Sequence, residues 1–345
     1  MKLIAVIVCL SVFVFPVSAL EFEAPGVPDS AREWMPQHTD SFAEGLNTLI
    51  KRAVSKLNPD LHDASKICLE VICAVVLIAL VQTLSARTSN IADISGTVAI
   101  ASLLLVSTNS MMSLASNTFR EIINYGKLLL PVMTAALAAQ GGVTASAALY
   151  TGTAVFIALL QSVMSGFLLP GVYLFLALRV GSCITGEEFL KRLGDMLKNF
   201  LVWCLKILLM VFTTYLSLTG VISGASDAAT VKATKVAFST FIPVVGSALS
   251  DAAETVLISV GLMKNAAGIY GILAVLALFL HPFLQIAVHY ILLKLTSGIC
   301  VCFTCSRIST AIDAFCNAMG VMLAMIASSC VMVLISTICF MRGVV

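Results

Sequence analysis

The segment Gly268–Leu293 reads GIYGILAVLALFLHPFLQIAVHYILL and decides the class of fold. It contains no Asp, Glu, Lys or Arg, and it is longer than the about 20 apolar residues that a helix needs to cross the hydrocarbon core of a bilayer. Its polar side chains include two histidines, His281, which precedes Pro282, and His289. The segment therefore predicts a transmembrane helix that carries two ionisable groups.

The composition of the whole chain agrees with this segment. Of the 345 residues, 59% are hydrophobic and 11% are charged, whereas soluble proteins carry about 25% charged residues. So few charges cannot solvate an exterior in water, but lipid accepts an apolar exterior. The net charge of +2 and the lack of a basic stripe exclude a nucleic-acid partner. We predict an all-α, polytopic helical membrane protein.

Further apolar runs predict about eight transmembrane helices in total, together with interfacial or re-entrant amphipathic helices. The predicted spans are Ile67–Leu84, Ser95–Leu114, Leu128–Ala148, Leu149–Gly166, Phe167–Ile184, Phe200–Ile222, Gly268–Leu293 and Ala318–Met341. If the chain starts outside the cytoplasm, the basic loops Gly186–Asn199 and Lys294–Asn317 fall inside, as the positive-inside rule expects. Arg120 and Lys127 fall outside on the same count, so the agreement is modest.

The N-terminus predicts export. Lys2, the apolar run Leu3–Phe15 and the small residues Val17-Ser18-Ala19 match a secretory signal peptide over residues 1–19. A first transmembrane helix is the alternative, but the run is short for a span.

Residues 20–66 predict a short extracytoplasmic region before the membrane domain, 67–345. Within it, an amphipathic helix starts near Ser41, with Glu44 at capping-box spacing, and ends at Asn58-Pro59. Its apolar stripe consists of Phe42, Leu46, Leu49, Ile50, Ala53, Val54 and Leu57. Such a helix lies in the membrane interface or docks on a partner.

Residues 223–266 mix charges with apolar, alanine-rich sequence and do not predict a simple loop. We interpret them as two interfacial or re-entrant helices that meet at Pro243–Gly246. If the segment dips into the bilayer, it is the candidate pathway, because irregular backbone at that depth needs protein or a wet cavity around it. Asp251 and Glu254 have the spacing of a helix start, which would also explain them.

Ionisable residues inside predicted spans are candidates for function, because each is costly in lipid unless it is paired. The intramembrane ionisable candidates are Glu70, Lys206, His281 and His289. Glu70 lies near a span end and Lys206 can snorkel. The two histidines form either a wet pair or packed neutral side chains.

Several patterns argue against an enzyme. Glu187-Glu188 with Arg192 matches an EExxxR pattern of intramembrane metalloproteases, but the companion histidine patterns are missing. Cys302-x-x-Cys305 is one pair of cysteines without a second, so we predict no metal site and no cofactor. A phosphate-binding GxxxxGK[ST] loop is also lacking, and any driving energy would come from a gradient or a partner.

The stretches Ser250–Leu257 and Leu262–Gly271, preceded by Phe241–Gly246, resemble the stage III sporulation protein AE family. The resemblance runs over essentially the whole chain and implies a multi-pass component of a channel or secretion-like complex between mother cell and forespore. It implies partners: other stage III sporulation membrane proteins, including ring-forming components and a cytoplasmic ATPase, and indirectly stage II sporulation protein Q. It also implies location in the outer forespore membrane. The candidate pathway residues are Pro243, Gly246, Asp251, Glu254, Lys264 and Asn265.

A second class of function fits the same span pattern. A stand-alone secondary transporter or exporter of a small molecule would work without partners and would show internal repeats. We find no clear repeat in the sequence, which disfavours this alternative.

Overall fold

The computed structural model describes the backbone of residues 25–35, 42–84, 89–139, 142–241, 246–303 and 306–341. Side chains are described in the same ranges except at residues 82–84, 89–90, 217–241, 246–266, 303 and 306. The predicted signal peptide, residues 1–19, and Pro243 lie outside the described residues.

The prediction of an all-α fold is confirmed, since the described backbone contains helices and turns but no strand. The α-helices are α1 (Asp29–Arg32), α2 (Phe42–Ser55), α3 (Leu57–Leu84), α4 (Ser89–Ala139), α5 (Val143–Val163), α6 (Leu169–Thr185), α7 (Glu188–Phe241), α8 (Gly246–Phe303) and α9 (Ser306–Met341). Among the described residues, six helical stretches are long and apolar enough to cross a membrane. The predicted count of about eight spans is not confirmed.

The difference in count arises because several predicted spans fuse into longer helices. Helix α4 has 51 residues and runs without interruption through Pro131 and the charged stretch that includes Arg120 and Lys127. At 1.5 Å per residue it is about 77 Å long, more than twice the thickness of a hydrocarbon core. The predicted span Leu128–Ala148 is wrong, because α4 ends at Ala139 and α5 begins at Val143.

A π-helical turn, Met164–Leu168, joins α5 to α6 at the place where the sequence predicts a boundary between two spans. Pro170 follows in the first turn of α6. A proline is tolerated there because its missing N–H and its ring would disturb only the preceding, widened turn. The two predicted spans are thus one continuous helical stretch, Val143–Thr185.

The predicted charged loop Gly186–Asn199 is also mostly helical. Gly186 has φ +76° and donates its N–H to the carbonyl of Ser182 at 2.9 Å, which ends α6. Glycine adopts this left-handed conformation without steric cost. Helix α7 begins two residues later, at Glu188.

The predicted amphipathic helix is confirmed in position but ends earlier, at Ser55. Pro59, which the sequence suggested as its end, lies in the first turn of α3, where a proline does not break a helix. The apolar stripe is divided: Leu49 and Ala53 are buried, whereas Ile50 and Val54 are exposed.

The backbone is helical on both sides of residues 242–245, since α7 ends at Phe241 and α8 begins at Gly246. The two helical segments that the sequence predicted here are not separate short helices. They are the continuous ends of helices of 54 and 58 residues. The interfacial or re-entrant position of residues 223–266 stays a prediction.

Helix α9 lies at the centre of the bundle and contacts α4 to α8. Glycines allow close approach at several crossings, as small residues do in membrane bundles. The closest approach is at Gly152, where an added Cβ would lie 1.9 Å from Cε1 of Tyr215. The Tyr215 hydroxyl donates to the carbonyl of Ala148 at 3.2 Å, which ties α7 to α5.

We expect Gly152→Ala to destabilise the bundle by about 1–3 kcal/mol, because the new methyl group would displace the Tyr215 ring. Gly298→Ala is the matched control, since no atom lies within 4 Å of its added Cβ. Thermal unfolding in detergent, followed by size-exclusion chromatography, measures both. Equal melting temperatures for the two variants would contradict this account of the α5–α7 contact.

Candidate functional site beneath the N-terminal strap

The N-terminal strap, residues 25–35, lies across the helical body. It buries four apolar side chains, Val27, Ala31, Trp34 and Met35, in the main core. The Tyr125 hydroxyl of α4 donates to the carbonyl of Pro25 at 3.4 Å, and the Ser30 hydroxyl donates to Glu121 at 2.7 Å. The strap therefore bridges the region before the membrane domain and the middle of α4.

Arg52 of α2 anchors the end of the strap. Its Nη1 lies 3.1, 3.0 and 2.9 Å from the carbonyl oxygens of Glu33, Trp34 and Met35. These carbonyls lie just beyond the end of α1, and the guanidinium donates hydrogen bonds to all three. One guanidinium thus determines where this end of the strap rests.

Trp34 contacts a cation and an imidazole. Its ring stacks on His281 of α8, with centroids 4.7 Å apart and planes 23° from parallel. The ammonium of Lys56 lies 4.8 Å from the Trp34 centroid, within the range of a cation–π interaction. The strap therefore meets α8 at the histidine that the sequence singled out.

Lys56 also pairs with Glu33 at 2.6 Å on the surface of the strap. The hydrogen bond and charge of Lys56 lower the pKa of the Glu33 carboxyl. A lowered pKa means that the Glu33 anion favours the docked strap above the carboxyl's ordinary pKa. This contribution is lost as the pH falls through the lowered value.

His281 has a second partner, Asp60 in the first turn of α3. Its Nδ1 lies 3.7 Å from Oδ2 of Asp60, close enough for an ion pair. That carboxylate oxygen is buried, and it has no hydrogen-bond partner in the part of the chain that the structure describes. His289, two turns further along α8, is 4% exposed and its Nδ1 lies 2.9 Å from the carbonyl oxygen of Gln285.

The other predicted ionisable candidates lie apart from this cluster. Glu70 and Lys206 are both exposed, on α3 and α7, and neither forms an ion pair with another described residue. Gly246, Asp251, Glu254, Lys264 and Asn265 lie in the first part of α8, where the backbone is helical and side chains are not described.

Two further ion pairs connect neighbouring helices near their ends. Arg179 of α6 is 7% exposed and lies 3.5 Å from Asp195 of α7. Gly194 makes room for it, because an added Cβ would lie 2.8 Å from Cδ of Arg179. Lys294 pairs with Asp313 at 2.8 Å, which joins α8 to α9. These pairs are structural contacts between neighbouring helices.

The remaining motifs do not form a reactive site among the described residues. In that part of the chain no three His, Cys, Asp or Glu side chains are grouped to hold a metal ion. Cys300 is buried and Cys302 is exposed, so the two face different surroundings. Glu188 is exposed and pairs with Lys191 at 3.5 Å.

Sequence reasoning identified His281 but missed its partners Trp34, Lys56 and Asp60. They come from the strap, the end of α2 and the start of α3, and no fixed spacing connects them to α8. The available signal was an aromatic residue and several charges in a short region that must pack against an apolar body.

We expect Arg52→Ala to release the strap, because three carbonyls would lose their donor. Because a single nitrogen, Nη1, serves all three carbonyls, we count the set as one hydrogen bond to a charged group, so the opening free energy should fall by about 1.5–3 kcal/mol. Hydrogen–deuterium exchange of residues 25–35 measures the change. Lys51→Ala, at the exposed neighbouring position, is the control, and equal exchange in both variants would contradict the anchoring role.

Comparison with known proteins identifies the family. The family model described as stage III sporulation protein AE matches residues 31–343. A curated relative, the stage III sporulation protein AE of Bacillus subtilis (strain 168), is 26% identical over 201 residues, which cover 55% of this chain and 50% of the relative. The chain thus matches about half the length of that relative, and no solved structure matches it. Because the family match runs from the strap to the end of α9, this chain belongs to the stage III sporulation protein AE family.

Proposed function

We propose that this chain is a multi-pass membrane component of a sporulation channel or secretion-like complex that links the mother cell and the forespore. The observation that carries the proposal is the family match over residues 31–343, which includes residues 31–35 of the strap and all six candidate spans. The chain would act as the permease-like core of that complex and be needed for forespore development.

The proposed location is the outer forespore membrane, derived from the mother cell, with the strap and α2 facing the intermembrane space. The proposed partners are the other stage III sporulation membrane proteins, including ring-forming components and a cytoplasmic ATPase, and indirectly stage II sporulation protein Q. A partner ATPase is consistent with the lack of a phosphate-binding loop in this chain. The proposal assigns no catalytic step to the chain.

Within the complex, residues 238–264 are the proposed pathway element, with Asp251, Glu254 and Lys264 as its polar determinants. The described part of this segment consists of the end of α7 and the beginning of α8, the two longest helices among the described residues. Ionisable side chains in apolar surroundings are retained where they serve a pathway or a partner.

Deleting the gene in its own spore-forming host should stop forespore gene expression after engulfment. A copy expressed only in the mother cell should restore it, and a copy expressed only in the forespore should not, because the protein is proposed to act from the mother-cell membrane. A forespore-specific fluorescent reporter measures both. Normal sporulation of the deletion strain, or rescue from the forespore alone, would contradict the proposal.

The double variant Asp251→Ala/Glu254→Ala should lower spore yield towards that of the deletion strain, while the amount of protein stays unchanged, because the pathway loses its carboxylates. Thr255→Ala in the same helix is the control and should sporulate normally. Spore counts after heat treatment, together with immunoblots, provide the measurement. Normal sporulation of the double variant would rule out the assigned role of the two carboxylates.

A further inference from the structure

The contact between Asp60 and His281 contains a buried carboxylate oxygen to which none of the described residues donates a hydrogen bond. Oδ2 of Asp60 is inaccessible and unpartnered, and the nearest basic atom is Nδ1 of His281, 3.7 Å away. The Asp60 side chain is 12% exposed and the His281 side chain 26% exposed. A carboxylate in such a position is destabilised unless a proton or a cation reaches it.

One proton satisfies this pair. A carboxylic acid beside a neutral imidazole and a carboxylate beside an imidazolium contain the same number of protons and have the same net charge of zero. Without that proton the site would hold an unpaired anion, and with a second proton an unpaired cation. Interacting groups of this kind bind and release protons as a pair.

Four other titratable groups, from the strap and the neighbouring helices, influence the pair electrostatically. Lys56, at the end of α2, and Glu33, on the strap, both act on His281 and are paired with each other at 2.6 Å. Asp63 on α3 and His289 on α8 act on Asp60. Since Lys56 and Glu33 largely cancel, neither replaces the proton that the pair needs.

The strap covers this pair. Trp34 stacks directly on the His281 ring, and the strap buries Trp34 to 7% exposure. His281 is followed by Pro282, which lacks an N–H and leaves the carbonyl four residues earlier without its helical donor. The pair therefore lies at a point in α8 where the backbone itself is less completely hydrogen bonded.

We propose that Asp60 and His281 form a proton-binding site that Trp34 of the strap partly covers. The bound state is an ion pair, with the proton on Nδ1 of His281 and Oδ2 of the Asp60 carboxylate 3.7 Å away, and the proton exchanges with water more readily when the strap lifts. No electron transfer or covalent step is involved. The inference stands independently of the proposed role in sporulation, because it concerns two side chains and a contact that can be measured in the purified protein.

Trp34 provides the probe for the test. The chain has two tryptophans, so Trp203→Phe leaves Trp34 as the only one, and an imidazolium stacked on indole quenches its emission more than a neutral imidazole does. We expect Trp34 emission of this parent in detergent to follow a titration between about pH 4 and pH 9. His281→Gln should abolish the titration. Asp60→Asn should move its midpoint to lower pH by about 1 unit or more, because the imidazolium loses its counter-charge.

Two controls separate the site from its neighbours. His62→Gln removes an exposed histidine of α3, and Glu70→Gln removes an exposed carboxylate of the same helix; both should retain the titration of the parent. Emission that does not change with pH in the parent would overturn the proposal, as would an unchanged midpoint in Asp60→Asn or a titration that persists in His281→Gln. If His281→Gln fails to fold, the parent and Asp60→Asn still decide the result.

Discussion

Backbone hydrogen bonding in an apolar environment is the constraint on which the rest of this structure depends. With 59% hydrophobic and 11% charged residues, most of the chain can be solvated only by lipid or by itself. A backbone in such surroundings must satisfy its N–H and C=O groups internally, which a helix does within one segment. The described chain responds with helices of up to 58 residues, joined by short turns such as the one at Gly186.

The strap shows how a short polar region is fastened to such a body. It does not add a large core of its own. Instead, Arg52 donates hydrogen bonds to three carbonyls of the strap, and Lys56 and His281 contact Trp34. Two residues of α4 form hydrogen bonds with the beginning and middle of the strap. Because these contacts come from α2 and the residue after it, from α4 and from α8, the position of the strap depends on the relative arrangement of three helices.

The fold class and the amphipathic helix could be predicted from the sequence because both depend on local patterns of apolar residues. The number of spans could not. Hydropathy predicted breaks near Arg120 and at Gly166, yet α4 runs through the first and a π-helical turn accommodates the second. Arg120 and Gly166 are both exposed in the structure, so each lies within a helical stretch without being buried, and local hydropathy does not distinguish such a residue from the end of a span. For the candidate site, His281 was visible in the sequence because an ionisable group in an apolar run is unusual, whereas Asp60, Lys56 and Trp34 were not.

Composition, hydrophobic periodicity and sequence similarity are properties of the chain alone. They were sufficient to predict lipid as the surroundings of most of this protein, an all-α fold and the family. The contacts between side chains depend on the tertiary structure. Tyr215 lies over Gly152, Arg179 lies beside Asp195, and Trp34 contacts both Lys56 and His281. These pairs are far apart along the chain, and their distances depend on how helices cross. Helix crossings are set by the shapes of both surfaces together, so no single segment of sequence contains them.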